Sequence, residues 1–169
     1  MQILKYIILF VIFISSSGIG ILYSKKYINR EKELKEIKNA LTIFKTKLLY
    51  TYETIPEIFK EIAQKVNAPI CSIFKMASDN MQETLASDAW IEAINQSDNN
   101  LNKEDKRIIK DFSKLLGQTD VDGQISSVEL VINFLDKQIE EAIIERKKSE
   151  KLYRTLGMTF GLGLVILLI

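Results

Sequence analysis

The chain has 169 residues, enough for one domain of ordinary size, and a formal net charge of +1. That balance gives no electrostatic footprint for nucleic acid, the absence of histidine removes the commonest proton-transfer group and metal ligand, and a single cysteine, Cys71, excludes an internal disulfide or a multi-cysteine metal site. Two prolines amid abundant Leu, Ile, Lys and Glu point to an all-α protein.

Chain order begins with an apolar run. Residues 6–23, YIILFVIFISSSGIGILY, carry no charge over 18 positions, the lower limit for a membrane-spanning helix. A signal peptide with Lys5 as its positive region and a cleavage zone at SSSG is the rival reading. Because the apolar run resumes as IGILY, an uncleaved anchor fits better. At the other end, residues 155–169, TLGMTFGLGLVILLI, are also uncharged. They are short for a span, although Leu152 and Tyr153 extend them if Arg154 snorkels towards headgroups. Lys25, Lys26, Arg30, Lys32 and Lys35 follow the first run, and Arg146, Lys147, Lys148, Lys151 and Arg154 precede the second. Positive residues collect on the cytoplasmic side of spans, so the expected organisation is a membrane segment at 1–24, a cytoplasmic helical segment at 25–154 and a short membrane segment at 155–169.

Within the middle segment a first helix is expected from Asn29, as a cap, to about Tyr52. Leu34, Ile37, Leu41, Phe44 and Leu48 form its apolar stripe, with Glu31, Lys32, Lys35, Glu36, Lys38 and Lys45 largely outside it. Thr54 and Glu57 have capping-box spacing ahead of a short helix, 56–66, that buries Ile58, Phe59 and Ile62. NAP at 67–69 breaks it, and a helix carrying Ile70, Ile73, Phe74 and Ala77 follows. Ser87 is expected to cap a helix holding Ala89, Trp90 and Ile94, and QSDNN at 96–100 reads as a loop. Asn102 with Asp105 opens a helix whose apolar side is Ile108, Ile109, Phe112, Leu115 and Leu116. The last helix runs from Thr119 towards Arg154 on a stripe of Val121, Ile125, Val128, Ile132, Leu135, Ile139, Ala142 and, more weakly, Ile143. The sum is an antiparallel bundle of six helices with membrane segments at both ends.

The junction LGQTDVDGQ, residues 116–124, is the most distinctive stretch. A calcium loop starting at Asp120 needs a carboxylate where Val131 stands, and neither His nor a second Cys is available for zinc. A helix junction accounts for more: Gly117 ends one helix, Thr119 caps the next with Asp122 returning the bond, and Asp120 and Asp122 suit the positive helix end. Gly123 then marks a close approach by a neighbouring helix, and Gly117, Thr119, Asp120, Asp122, Gly123 and Gln124 together form a candidate helix junction or partner-facing surface.

Trp90, Phe112 and Leu116 are expected in the core, with a partner interface as the second reading for Trp90. Cys71 reads as core packing rather than a reactive thiol. The charged runs at 25–38 and 145–151 read as solvated helix faces, or as attraction to anionic headgroups. GLG at 161–163 lies in the apolar tail, where small residues let helices pack closely. No nucleophile–base pair, phosphate-binding loop or ligand cluster stands out, so the reading is a non-enzyme without catalytic residues, metal or cofactor.

Several separated motifs occur in the order found in one family: AW at 89–90, LNKEDKRIIKDFSKLLGQTDVDGQ at 101–124, TIPEIFKEIA at 54–63 and EKLYRTLGMTFGLGLVILLI at 150–169. Together they resemble the stage III sporulation protein AB family, with Ser113 standing where the family usually has glycine. The resemblance implies a membrane component of a secretion-like apparatus joining mother cell and forespore in endospore formers. It implies a helical domain similar to that of type II secretion and type IV pilus platform proteins. It further implies as partners the cytoplasmic ATPase of the same sporulation operon and other membrane components of the channel. The location expected from it is the mother-cell membrane around the forespore, with 25–154 in the cytoplasm, against the bilayer and without nucleic acid; homo-oligomers stay open. The alternative is a structural anchor or regulator of envelope assembly with no ATPase contact.

Overall fold

A computed structural model describes the backbone of residues 2–116 and 121–168 and most side chains from 11 onward; those of 12, 13, 16, 17, 20, 115, 121, 122, 154, 164 and 168 fall outside the description. Among the described residues six α-helices follow one another: α1 Gln2–Tyr50, α2 Ile55–Lys65, α3 Ile70–Asn80, α4 Ala86–Gln96, α5 Lys103–Asp111 and α6 Val121–Leu168, with a 3₁₀ turn at Phe112–Leu115. Among the described residues there is no strand. The chain divides into two compact units, Met1–Glu31 with Glu141–Ile169 (the two-helix unit) and Lys32–Glu140 (the core unit).

In the core unit the apolar stripes do what their spacing predicts. Leu34, Ile37, Leu41 and Phe44 of α1 are buried, as are Ile58, Phe59 and Ile62 of α2 and Ile70, Ile73, Phe74 and Ala77 of α3. From α6 come Val128, Leu135 and Ile139, joined by Val131, which the expected stripe left out. Helix α2 packs on α3, α3 on α4, and α4 on α5 and the 3₁₀ turn. The hydroxyl of Ser78 ties α3 to α2 by donating to the Pro56 carbonyl at 2.8 Å. Helices α1 and α6 run antiparallel here: Lys38 pairs with Asp136 and Lys45 with Glu129, so seven residues up one helix (45 − 38) match seven down the other (136 − 129).

Several expected details are corrected. Asn29 is not a cap, because α1 passes through it without a break; no Gly or Pro lies between Tyr23 and Tyr50 to interrupt the ladder. Helix α4 starts one residue before Ser87, with Leu85 in the cap position and its carbonyl accepting from the N–H groups of Asp88 and Ala89. Burial of Ala89 and Trp90 sets that start, and no side-chain cap bond is made. The helix expected to continue to Leu116 tightens at Phe112 into a 3₁₀ turn, a common way for a helix end to satisfy its last carbonyls. Glu31, expected on the solvated face, is 5% exposed, and Cys71 is half-buried rather than in the core.

The flanking segments are not separate elements but the ends of α1 and α6. Among the described residues no helix is long and apolar enough to cross a membrane, so the two expected spans are not met by the described helices. Most side chains of the run at 6–23 lie outside the described residues, and the run at 155–169 has fewer positions than a span requires.

Candidate partner-facing surface

The centre of the core unit is aromatic. The indole of Trp90 lies 5.4 Å from the ring of Phe59, 5.1 Å from Phe74 and 5.5 Å from Phe112, while Phe44 brings α1 into the cluster at 5.6 Å from Phe59 and 5.2 Å from Phe112. Most of these contacts are edge-to-face, the arrangement favoured by the ring quadrupole. Trp90 is 1% exposed, and its Nε1–H donates to the carbonyl of Ile109 at 2.8 Å, so the polar end of the ring is satisfied inside. Phe112 and Leu116 are buried as well. A residue so enclosed is no surface anchor.

Around this core the chain fixes its loops with carboxylates. Asp105 accepts from the N–H of Asn102 at 2.9 Å, and Asn102 accepts from the N–H of Asp105 at 2.7 Å, completing the expected box at the start of α5. At α2 the carboxylate of Glu57 accepts from both the N–H and the hydroxyl of Thr54, each at 2.8 Å. These donors hold the Glu57 carboxyl below its ordinary range, the backbone N–H of Thr54 contributing most.

Two clamps went unforeseen. Glu33, 4% exposed on α1, reaches the loop after α4: it accepts from the N–H of Asn100 at 2.7 Å and from its side-chain amide at 2.6 Å. Burial pushes the Glu33 carboxyl above its ordinary value, against the lowering influence of the two Asn100 donors. The second clamp is Lys47, whose Nζ lies 2.8 Å from carboxylate oxygens of both Glu53 and Glu61 and so joins α1 to the following turn and to α2. The sequence held one signal for the first clamp: Glu33 stands four residues before Ile37, on the buried stripe rather than opposite it. Lys47 stands three residues after Phe44, a comparable signal, but its partners Glu53 and Glu61, like Asn100 for Glu33, are set by how the chain folds back.

The two-helix unit is joined by charge. Arg30 pairs with Glu145 at 2.6 Å and Glu31 with Arg146 at 3.1 Å, so the dipeptide Arg30-Glu31 on α1 meets the complementary Glu145-Arg146 on α6. Tyr153 stacks on Tyr23 and Tyr27, with ring centroids 5.9 and 6.1 Å away.

Of the residues expected at the acidic junction, Gly117, Gln118, Thr119 and Asp120 lie outside the described residues, as does the side chain of Asp122. Gly123 and Gln124 fall in the first turn of α6 and are half-buried. Among the described residues no group of carboxylates or thiol is placed to hold a metal ion. The described elements are all helical, and several ion pairs join one element to another.

A family model for stage III sporulation protein AB matches residues 5–169. The chain belongs to that family. Stage III sporulation protein AB of Bacillus subtilis (strain 168) is 24% identical over 161 residues, covering 93% of this chain and 94% of that one. A solved structure of stage III sporulation protein AB superposes with a TM-score of 0.65 at 19% identity, covering 71% of this chain and 98% of the other, and shares its fold.

Proposed function

We propose that this chain is a non-enzymatic, membrane-anchored platform component of the sporulation apparatus, which docks a cytoplasmic ATPase of the same operon from the mother-cell side. The observation that carries the reading is the family match over 5–169, which takes in both uncharged runs as well as the helical segment between them. The runs at 6–23 and 155–169 serve as anchors, and the Lys and Arg residues beside them set the segment between in the cytoplasm. In this reading the aromatic core enclosed by α2 to α5 and the long helices gives a stable frame, and the ATPase docks on its outside.

The test uses the full chain in sporulating cells. It should stay with the membrane after carbonate extraction, a cysteine placed at Asn99 should resist a membrane-impermeant thiol reagent in intact cells, and the ATPase should co-purify with it. Extraction into the soluble fraction, or labelling at position 99 in intact cells, overturns the anchoring. A chain that stays in the membrane but never co-purifies with the ATPase leaves the alternative, a structural anchor or regulator of envelope assembly.

A further inference from the structure

On the side of α6 turned away from α1, the surface changes character along the helix. Tyr153 marks the seam, where its ring stacks on Tyr23 and Tyr27. Lys151, two positions earlier, is turned about 200° from it around the helix. Lys147, Lys151, Thr155, Met158 and Leu162 recur at steps of three and four, so they share this outer stripe. All of them are exposed, Met158 by 48% and Leu162 by 51%. The first four, with Glu150, line an open cleft of about 490 Å³. The stripe is cationic at one end, carries a hydroxyl in the middle and is apolar at the other.

The charge at the cationic end is not cancelled nearby. Among the described residues Lys147, Lys148 and Lys151 are held in no ion pair. Arg30 and Glu31 on α1 are matched by Glu145 and Arg146 on α6. What remains of 23–31 and 145–155 is Lys25, Lys26, Lys147, Lys148, Lys151 and Arg154 against Glu150, six positive charges against one negative. Glu150, at the edge of the cleft, is itself engaged within the molecule. An acidic protein surface and an anionic lipid would both answer such charge. The uncharged run that follows at 155–169, and the three tyrosines beside the lysines, favour the lipid: tyrosine collects where headgroups meet hydrocarbon, and lysine stems lie on apolar surface with their heads in water. From Lys151 to Met158 the helix rises about 10 Å, enough to pass from headgroup to hydrocarbon. We propose that the cleft binds an anionic phospholipid, its phosphate between the ammonium groups of Lys147 and Lys151, the Thr155 hydroxyl donating to it, and an acyl chain along Met158 and Leu162. The proposal deepens the platform reading above, and rests on it only for the two-helix unit meeting a membrane.

Two measurements test it. First, the purified full chain is reconstituted in phosphatidylcholine nanodiscs doped with phosphatidylglycerol that carries a photoreactive acyl chain. The segment 151–162 should take up more label than from the same dose of photoreactive phosphatidylcholine. Lys147→Gln/Lys151→Gln should lower that label about tenfold with an unchanged melting temperature, in line with the loss of two basic residues at a membrane surface. Lys25→Gln/Lys26→Gln, an equal change of charge, should lower it by less than about twofold, because these lysines lie outside the cleft. Equal labelling by the two lipids, or equal losses in the two lysine pairs, overturns the cleft and leaves the anchoring reading standing. A chain that cannot be reconstituted, yet binds phosphatidylglycerol vesicles through Lys147 and Lys151, supports the cleft and overturns the anchoring. Binding to neither phosphatidylglycerol nor phosphatidylcholine vesicles overturns both. Second, a photoreactive benzoyl-phenylalanine at position 155 should cross-link to phospholipid in sporulating cells. Cross-links to an acidic protein or to a second copy of the chain, with none to lipid, overturn the lipid site.

Discussion

Around Trp90 three phenylalanine rings lie within 5.5 Å, and the one polar atom of the indole is bonded to a carbonyl. In the two-helix unit Arg30 and Glu31, each only 5% exposed, meet the charges of Glu145 and Arg146, and elsewhere in the unit Tyr153 stacks on Tyr23. The core unit has four short helices to close over its side chains, so apolar groups can be removed from water on every side. The two-helix unit has a single seam, and a two-helix seam leaves most side chains with one face in solvent. Long side chains with polar ends suit that geometry, because their stems cover the seam while their heads pair across it. The difference is one of task as well as geometry. Rings supply stability through burial, whereas a buried ion pair contributes little net stability and is better suited to fixing which residue faces which. Arg30-Glu31 against Glu145-Arg146 is such a register mark, since a slip of one residue would oppose like charges.

The largest effect should come from the aromatic side of this comparison. Trp90→Ala should destabilise the protein by about 3–5 kcal/mol, measured by denaturant unfolding, because it opens a cavity among three rings. Trp90→Phe keeps much of the volume but leaves the Ile109 carbonyl without its donor, and should cost about 1–3 kcal/mol. A loss under about 1 kcal/mol for Trp90→Ala would mean that the cluster is not the source of the core unit's stability.

A second prediction tests whether a buried charge in the core unit acts as a clamp. Asn100→Ala removes the side-chain amide donor from a nearly buried carboxylate, leaves the backbone N–H in place, and should cost about 1–2 kcal/mol. Glu33 also gives a pH signature. Burial raises its pKa above the ordinary 4.5, so the folded state favours the protonated carboxyl. Its contribution to stability is then fully present below 4.5 and is lost as pH rises through the raised folded value. The Glu33→Gln variant, which cannot ionise, should gain in melting temperature relative to the parent as pH increases through that window. A difference that stays flat, or falls, across it would contradict burial as the dominant influence.

How much of this was legible beforehand depends on whether neighbours in sequence are neighbours in space. The stripes of α1, α2, α3 and α6 could be read from spacing, and so could the Asn102–Asp105 box, because helix periodicity and caps are local. Asn29 has the side chain of a cap, but a cap has nothing to satisfy inside the unbroken α1. Ser87 is the same kind of residue inside the first turn of α4. The clamps of Glu33 on Asn100 and of Lys47 on Glu53 and Glu61 depend on how the chain folds back, and spacing alone does not encode that.

On the charged side, Arg146→Gln should cost about 1–2 kcal/mol, because Glu31 remains nearly buried after losing a cationic neighbour. Adding Glu31→Gln should restore part of the loss, since the buried carboxylate that lost this cationic neighbour is then replaced by a neutral amide. If the double variant is less stable than the single by the full additional amount, the pair contributes through some other contact.

The smallest effect separates register marks from surface ornaments. Lys45 and Glu129 lie 3.0 Å apart in the core unit, but their side chains are 29% and 54% exposed, so water and salt screen the attraction. A double-mutant cycle with Lys45→Ala and Glu129→Ala should return a coupling of about 0.2–1 kcal/mol, falling towards zero in 1 M salt. Reversing the pair, Lys45→Glu with Glu129→Lys, should be nearly neutral. The same reversal at the seam, Arg30→Glu with Glu145→Arg, should not be neutral: Arg30 is almost fully buried and its guanidinium geometry is not reproduced by a carboxylate on a shorter stem. If both reversals are equally tolerated, the seam charges set no register, and the division of labour between rings and ion pairs falls. If only the seam reversal is disruptive while the Lys45–Glu129 coupling vanishes in salt, burial rather than pairing distance decides which ion pairs matter in this fold.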